Sequence, residues 1–343
     1  MKTIFSPDHE LHRSPGELIL GEFSEAFEKP ERAQLILDRV EDVKLGPVLP
    51  PEAFSLEQIT RIHTPGMVDC LKTAHAEWLA SDRSGAAYPY TWPARGMRTD
   101  RVPREIDGKL GFYSFDCGTP ITATSWQAIK SSADVALTGA KLINEGESAV
   151  FSLCRPPGHH ASTSQFGGYC FLNNAAIATQ KLLDDGAKRI AILDVDYHHG
   201  NGTQDIFYNR DDVLFISLHG DPDQEFPYML GFADEFGLGK GEGYNLNFPL
   251  PWGTTWDKWS AALDVGLKRI IKFSPDIVVV SLGVDTYKKD PISQFKLEHE
   301  HFSAMGEKVK TLGKPTLFVM EGGYAVAEIG INAVNVLTGF EGR

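Results

Sequence analysis

Apolar runs of strand length recur along the chain, and four of them end on clusters of polar residues. Ala149-Val150-Phe151-Ser152-Leu153-Cys154 leads into Arg155-Pro156-Pro157-Gly158-His159-His160, and Arg189-Ile190-Ala191-Ile192-Leu193 leads into Asp194-Val195-Asp196-Tyr197-His198. Asp276-Ile277-Val278-Val279-Val280-Ser281-Leu282-Gly283 delivers Asp285, and Pro315-Thr316-Leu317-Phe318-Val319-Met320 delivers Glu321-Gly322-Gly323-Tyr324. Residues 213–218 form a further central strand followed by a loop at 219–243, and the N-terminus reads as a first strand. Between these runs, apolar positions three and four apart predict helices over 28–44, 56–79, 119–145, 171–185, 256–273, 298–312 and 325–337. Strands alternating with helices imply an α/β fold, a single parallel β-sheet flanked by helices on both faces. Such sheets bind ligands at the C-terminal ends of their strands, where the polar clusters fall.

The stretch at about 81–118 has another texture. It carries Pro89, Pro93, Pro103, Tyr88, Tyr90 and Trp92 without sustained periodicity. Loops of that length are uncommon in compact domains and tend to be functional or to form interfaces. With no internal repeat and no Pro/Ser linker, residues 1–343 read as one domain bearing a long loop insertion.

Composition narrows the partners. A hydrophobic content of 42% over 343 residues supports a full core. The formal charge of −13, with no long basic stretch, argues against nucleic acid and is compatible with steering a cationic substrate, though by itself it reads first as a solubility or salt-adapted surface. No apolar run approaches the ~18–20 residues that cross a bilayer, so no membrane partner is expected. The N-terminus lacks a signal-peptide core, which places the expected site of action in the cytoplasm. Cys70, Cys117, Cys154 and Cys170 make no C-x-x-C pair and are expected as reduced thiols.

If extended geometry persists past Leu193, Asp194, Asp196 and His198 project to one side, because alternate residues of a strand share a face. Carboxylates and an imidazole gathered there are costly unless a cation neutralises them. Asp196, His198 and Asp285 would leave coordination positions open on Zn²⁺, as catalytic sites do. Iron(II) or cobalt(II) would also accept this set. Asp285 alone has a helix N-cap as its alternative reading. His159 and His160 are either an exposed turn or an acid–base pair. Tyr324, between flexible glycines and the next helix, is either a turn aromatic or an oxyanion donor.

Together these motifs resemble the metal-dependent histone deacetylase family, whose fold is shared with arginase, over about residues 1–340. Within it, Phe5-Ser6-Pro7-Asp8-His9, the 81–118 insertion and Phe166-Gly167-Gly168-Tyr169-Cys170-Phe171 are most similar to bacterial acetylpolyamine amidohydrolases. The resemblance implies one zinc ion at Asp196, His198 and Asp285, with His159 and His160 beside an attacking water. It implies that Asp194 backs His159, Asn201 backs His160 and Tyr324 stands over the substrate carbonyl. Tyr169 and Phe226 would wall an acyl tunnel, while Glu17, Asp107 and Asp116 would meet substrate ammonium groups. It also implies two K⁺ or Na⁺ sites, mostly through backbone oxygens, one at Asp194, Asp196, His198, Ser217 and Leu218, the other at Phe207, Arg210, Val213 and Tyr244. The implied activity is zinc-dependent removal of acetyl groups from acetylated polyamines and similar small cationic amines, by a homodimer, giving acetate and free amine. The alternatives are a lysine deacetylase acting on peptides or proteins, an arginase-like binuclear hydrolase, and a non-catalytic acyl-amine binder.

Overall fold

A computed structural model of the chain describes residues 1–19 and 21–343. The strands are β1 (Lys2–Ile4), β2 (Glu17–Ile19), β3 (Glu22–Ser24), β4 (Val48–Leu49), β5 (Ala149–Ser152), β6 (Ile190–Asp194), β7 (Val213–Gly220), β8 (Asn245–Leu250), β9 (Ile277–Leu282) and β10 (Thr316–Met320). The α-helices are α1 (Glu31–Asp42), α2 (Leu56–Thr60), α3 (Pro65–Ala80), α4 (Ile106–Tyr113), α5 (Ser125–Asn144), α6 (Asn174–Asp184), α7 (Asn201–Phe207), α8 (Trp256–Phe273), α9 (His299–Lys310) and α10 (Ile329–Glu341). Eight strands form one sheet in the order β4-β1-β5-β10-β9-β6-β7-β8, every pairing parallel. β2 and β3 make a separate antiparallel hairpin.

The two-residue alternation of the strands divides the core. Val150, Ile192, Val279, Leu317 and Val319 face the layer containing α3, α5 and α6. Phe151, Leu193, Val280, Phe318 and Met320 face α1, α8, α9 and α10. Both layers bury apolar side chains, which is why the central strands read as unbroken apolar runs. Truncating a side chain such as Phe318, 0% exposed, to Ala costs about 3–5 kcal/mol in a core of this kind.

Several local expectations change. The helix expected over 56–79 is two helices, because Thr64 caps a new start by accepting the Met67 N–H and Pro65 occupies its first turn. The 81–118 insertion is not wholly irregular. It holds α4, whose Ile106, Leu110 and Tyr113 join the α3/α5 layer. Its neck is closed by an antiparallel bridge, with Ala87 N–H donating to Ile121 O (2.8 Å) and Ile121 N–H to Ala87 O (3.0 Å). β6 stops at Asp194, so the extended geometry does not continue to His198.

Candidate active site

The turn after β5 is held from beneath. Arg155, buried, donates through Nε and Nη2 to the Glu28 carboxylate (2.8 and 2.9 Å), through Nη1 to the His9 carbonyl and through Nη2 to the His12 carbonyl. Glu321 Oε2 accepts the backbone N–H groups of Gly158 (2.7 Å) and His159 (3.1 Å), and burial pushes the Glu321 carboxyl up to about 7. His63 Nε2 accepts the Asn173 N–H (2.8 Å), and the Asn173 amide donates to Ala161 O (3.0 Å). The turn's two histidines therefore project from a braced backbone.

His159 and His160 have different supports. His159 Nδ1 lies 3.0 Å from Asp194 Oδ2, whereas His160 Nδ1 lies 2.7 Å from the Asn201 side-chain oxygen. Burial pulls His159 down, but Asp196 and Asp194 outweigh it and push the imidazole up to about 10. Burial holds His160 well below the usual imidazole value, and its cationic neighbours His159 and His198 push it the same way.

Once β6 ends, its three acceptors separate. Asp194 turns to His159, while Asp196 and His198 converge with Asp285 from the end of β9. The ligand atoms of Asp196, His198 and Asp285 lie within 4.8 Å of one another, all buried. His198 Nδ1 is 3.0 Å from Asp285 Oδ2 and 3.3 Å from Asp196 Oδ1. Burial and the Asp196 charge push Asp285 up to about 8. Two carboxylates crowded in that way call for a cation. The backbone leaves room for one: a Cβ on Gly322 would stand 2.6 Å from both Asp196 Oδ2 and Asp285 Oδ2. Two hard oxygens and an imidazole nitrogen suit zinc with open positions. A second buried group, His159, Cys170 and Glu321, is also close enough to hold a metal. Its Glu321 carboxylate is already engaged with the turn, and its Cys170 thiol is pushed well up by burial and by Glu321. With Asp194 committed to His159, the carboxylates needed for a binuclear centre are not gathered here.

A cavity of about 380 Å³ opens onto this cluster, with His160, His198 and Tyr324 among its lining residues. Asp290 Oδ2 accepts the Tyr324 N–H (2.7 Å), and burial keeps the phenol well above its ordinary pKa, so it stays a hydrogen-bond donor. Tyr169 and Phe226 line the cavity. Phe226 meets His160 edge-on at 5.0 Å and stacks at 5.9 Å with Phe115 of the insertion. Tyr169 sits in the left-handed region (φ 65°) and is held by Thr119, which accepts its N–H (2.9 Å), and by Glu17, which accepts its hydroxyl (2.6 Å). Gly168 precedes it because a Cβ there would meet His160 Cδ2 at 2.4 Å.

The three expected acidic contacts part company. Glu17 and Asp116 line the cavity, but Asp107 does not. It lies on α4 with its Oδ2 paired to Arg83, because the insertion folds back on itself. Asp194 and Ser217 are register neighbours on β6 and β7 with Leu218 next along, and Arg210 N–H donates to Phe207 O (3.0 Å) near Val213. Tyr244 O accepts from Phe215 N–H (2.9 Å). All four cysteines are free, with Cys117 half-buried at the cavity and the others buried.

Fold and site together define a parallel α/β hydrolase with the buried cluster of Asp196, His198 and Asp285 beside a histidine pair. Residues 26–340 match the histone deacetylase domain, and the chain belongs to the histone deacetylase family, with the arginase/deacetylase fold. It is 59% identical to acetylpolyamine amidohydrolase 2 of Pseudomonas aeruginosa over 100% of this chain and 99% of the relative. It is 49% identical to the acetylpolyamine amidohydrolase of Mycoplana ramosa, covering 100% of both. The crystal structure of an acetylpolyamine aminohydrolase from Burkholderia pseudomallei superposes with a TM-score of 0.95 at 37% identity, covering 99% of this chain and 98% of that one.

Sequence reasoning did not mark Arg32, Glu28, His63, Asp290 or Glu225 as parts of the site. Arg32 and Glu28 fell within an expected helix, where charged residues are ordinarily solvated. Asp290 follows Asp285 by five positions, and only the fold turns it toward Tyr324.

Proposed function

We propose that this chain is a cytoplasmic zinc-dependent deacetylase of acetylated polyamines and similar small cationic amines, working as a homodimer. The observation that carries the reading is one cavity with His160, His198 and Tyr324 along it and the carboxylates of Glu17, Asp116 and Glu225 on its lining. An acetyl group at the catalytic side chains then leaves its amine-bearing tail among acceptors. Relatives that match this chain end to end carry the same activity in their names.

Asp196, His198 and Asp285 would hold the zinc, which when bound supplies Lewis acidity at the amide carbonyl and makes water a better acid. His160, neutral at rest, takes the proton of the attacking water. His159, charged against Asp194, supports the negative charge that develops. The Tyr324 hydroxyl donates to the amide oxygen as it becomes an oxyanion. The proton gathered by the histidine pair passes to the departing amine. Asp194, Asp196, His198, Ser217 and Leu218, and separately Phe207, Arg210, Val213 and Tyr244, are proposed to hold K⁺ or Na⁺ as structural ions.

The test is a competition assay offering acetylated putrescine, spermidine and cadaverine against an acetyl-lysine peptide. Higher kcat/KM on the acetylated polyamines supports the reading. Equal or better turnover of the peptide makes the chain a lysine deacetylase instead.

A further inference from the structure

Three carboxylates line the cavity, and they are not equivalent. Glu17 is 3% exposed, and both of its oxygens are engaged, by the Phe27 N–H and by the Tyr169 hydroxyl. Burial pushes its carboxyl upward. Asp116 accepts the Gly118 N–H (3.0 Å), the Thr119 hydroxyl (3.1 Å) and the Gly168 N–H, and burial raises it as well. Both groups hold the Gly168–Tyr169 wall in place, and that wall takes up acceptor positions on each of them.

Glu225 differs. It stands one residue before Phe226, the wall that touches His160, and three before Tyr228, which is 52% exposed. The segment thus climbs from the catalytic histidines to the surface, with Glu225 half-buried on the cavity side. Its Oε1 accepts the indole N–H of Trp252 (2.5 Å), itself 52% exposed. An ionised carboxylate has room for about four hydrogen-bond donors, so the Trp252 indole and the Tyr197 hydroxyl leave about half of that capacity open. Both donors are neutral and do not cancel the charge. Tyr197 lies against it from the core side, a phenol that burial and the Glu225 charge keep protonated.

Resting on the proposed deacetylase reading, we infer that Glu225 is the specificity-determining carboxylate for the free ammonium group of the substrate, and that Glu17 and Asp116 are structural parts of the wall. The ligand class is an acetylated aliphatic amine with at least one further protonated nitrogen.

The experiment measures, on the zinc-loaded enzyme, the ratio of kcat/KM for an N-acetylated diamine to that for an N-alkylacetamide of equal length without the second nitrogen. A half-exposed ion pair of about 1 kcal/mol predicts that E225Q lowers this ratio roughly fivefold to tenfold, through KM. E225D should keep part of the preference, and W252F most of it. A ratio in E225Q equal to wild type overturns the assignment while leaving the deacetylase reading intact. A W252F ratio as low as that of E225Q also overturns it, since Glu225 would then be a brace for the loop. If the wild-type enzyme turns over no acetylated amine, both readings fail together.

Discussion

The guanidinium of Arg32 lies 4.8 Å from the centre of the Tyr324 ring while its Nε and Nη2 donate to Gly323 O and Glu321 O, each at 2.6 Å. One buried cation therefore fixes both the backbone before Tyr324 and the face of its ring, with Glu28 (2.9 Å) balancing the charge. Lys keeps the charge but not the planar fork. Arg32→Lys is expected to lower kcat about tenfold to a hundredfold, or ~1.4–2.8 kcal/mol of barrier, with KM and zinc content little changed. Steady-state kinetics with elemental analysis checks this, and loss of metal in the variant would refute it.

Asp196→Ala, His198→Ala and Asp285→Ala should each remove tight zinc binding and deacetylation while the chain stays folded. Each deletes one of three donors, and four-coordinate zinc depends on all of them. Gly322→Ala should act on the same centre without touching a ligand, because its methyl would sit 2.6 Å from Asp196 Oδ2 and Asp285 Oδ2. Zinc stoichiometry after dialysis against a weak chelator is the measurement. A full equivalent retained in an Ala variant of a ligand rules that residue out.

His160→Ala should cost more rate than His159→Ala, since the base must start neutral and His160 faces an amide rather than a carboxylate. Asn201→Asp puts a carboxylate at His160 Nδ1 and stabilises its imidazolium. The pKa of His160 rises, so the acidic limb of the rate profile should move to higher pH by on the order of one unit, with zinc content unchanged. An unmoved limb would reverse the assignment of roles.

His63 makes the fold sensitive to acid. Its Nδ1 meets Ser162 O (2.9 Å) and its Nε2 accepts the Asn173 N–H, an arrangement that fits only the neutral ring. Burial lowers it from 6.5 to about 4. Above the unfolded value both states are neutral and its contribution is intact. As pH falls from 6.5 toward 4 the unfolded chain gains a proton that the folded one refuses, so stability drops. His9, His12 and His219 shift the same way, each to about 4. His63→Gln, which can still accept and donate, should flatten the pH dependence by at most about 1.4 kcal/mol per pH unit. Urea midpoints at about pH 7.5 and about pH 5 provide the comparison; an unchanged difference between them would exclude His63 as a source.

Much of the sheet was legible because parallel strands buried on both faces are plain apolar runs, and the site motifs follow them directly in sequence. β5, β6, β7, β9 and β10 could be read in this way, as could the convergence of Asp196, His198 and Asp285. The break before α3 was also written in the chain, at Thr64-Pro65, but apolar spacing continued across it. α4 carried Ile106, Leu110 and Tyr113 at helical intervals inside a segment otherwise rich in proline and glycine. Residues whose roles depend on distant partners gave no local signal. Asp107 became a structural acid through Arg83, and Arg32, a helix residue, became a clamp on Glu321 and Gly323.

The bridge between Ala87 and Ile121 makes most of the insertion a cassette. Closing a loop costs entropy that grows only slowly with its length, and here paired backbone bonds hold the two ends together whatever lies between them. Within it, the exposed residues 93–105 ahead of α4 can then lengthen, shorten or change sequence without disturbing the register of the sheet. The mouth could diverge among descendants of this chain, or be exchanged in the laboratory, while the histidine pair and the carboxylates at the strand ends are inherited unchanged.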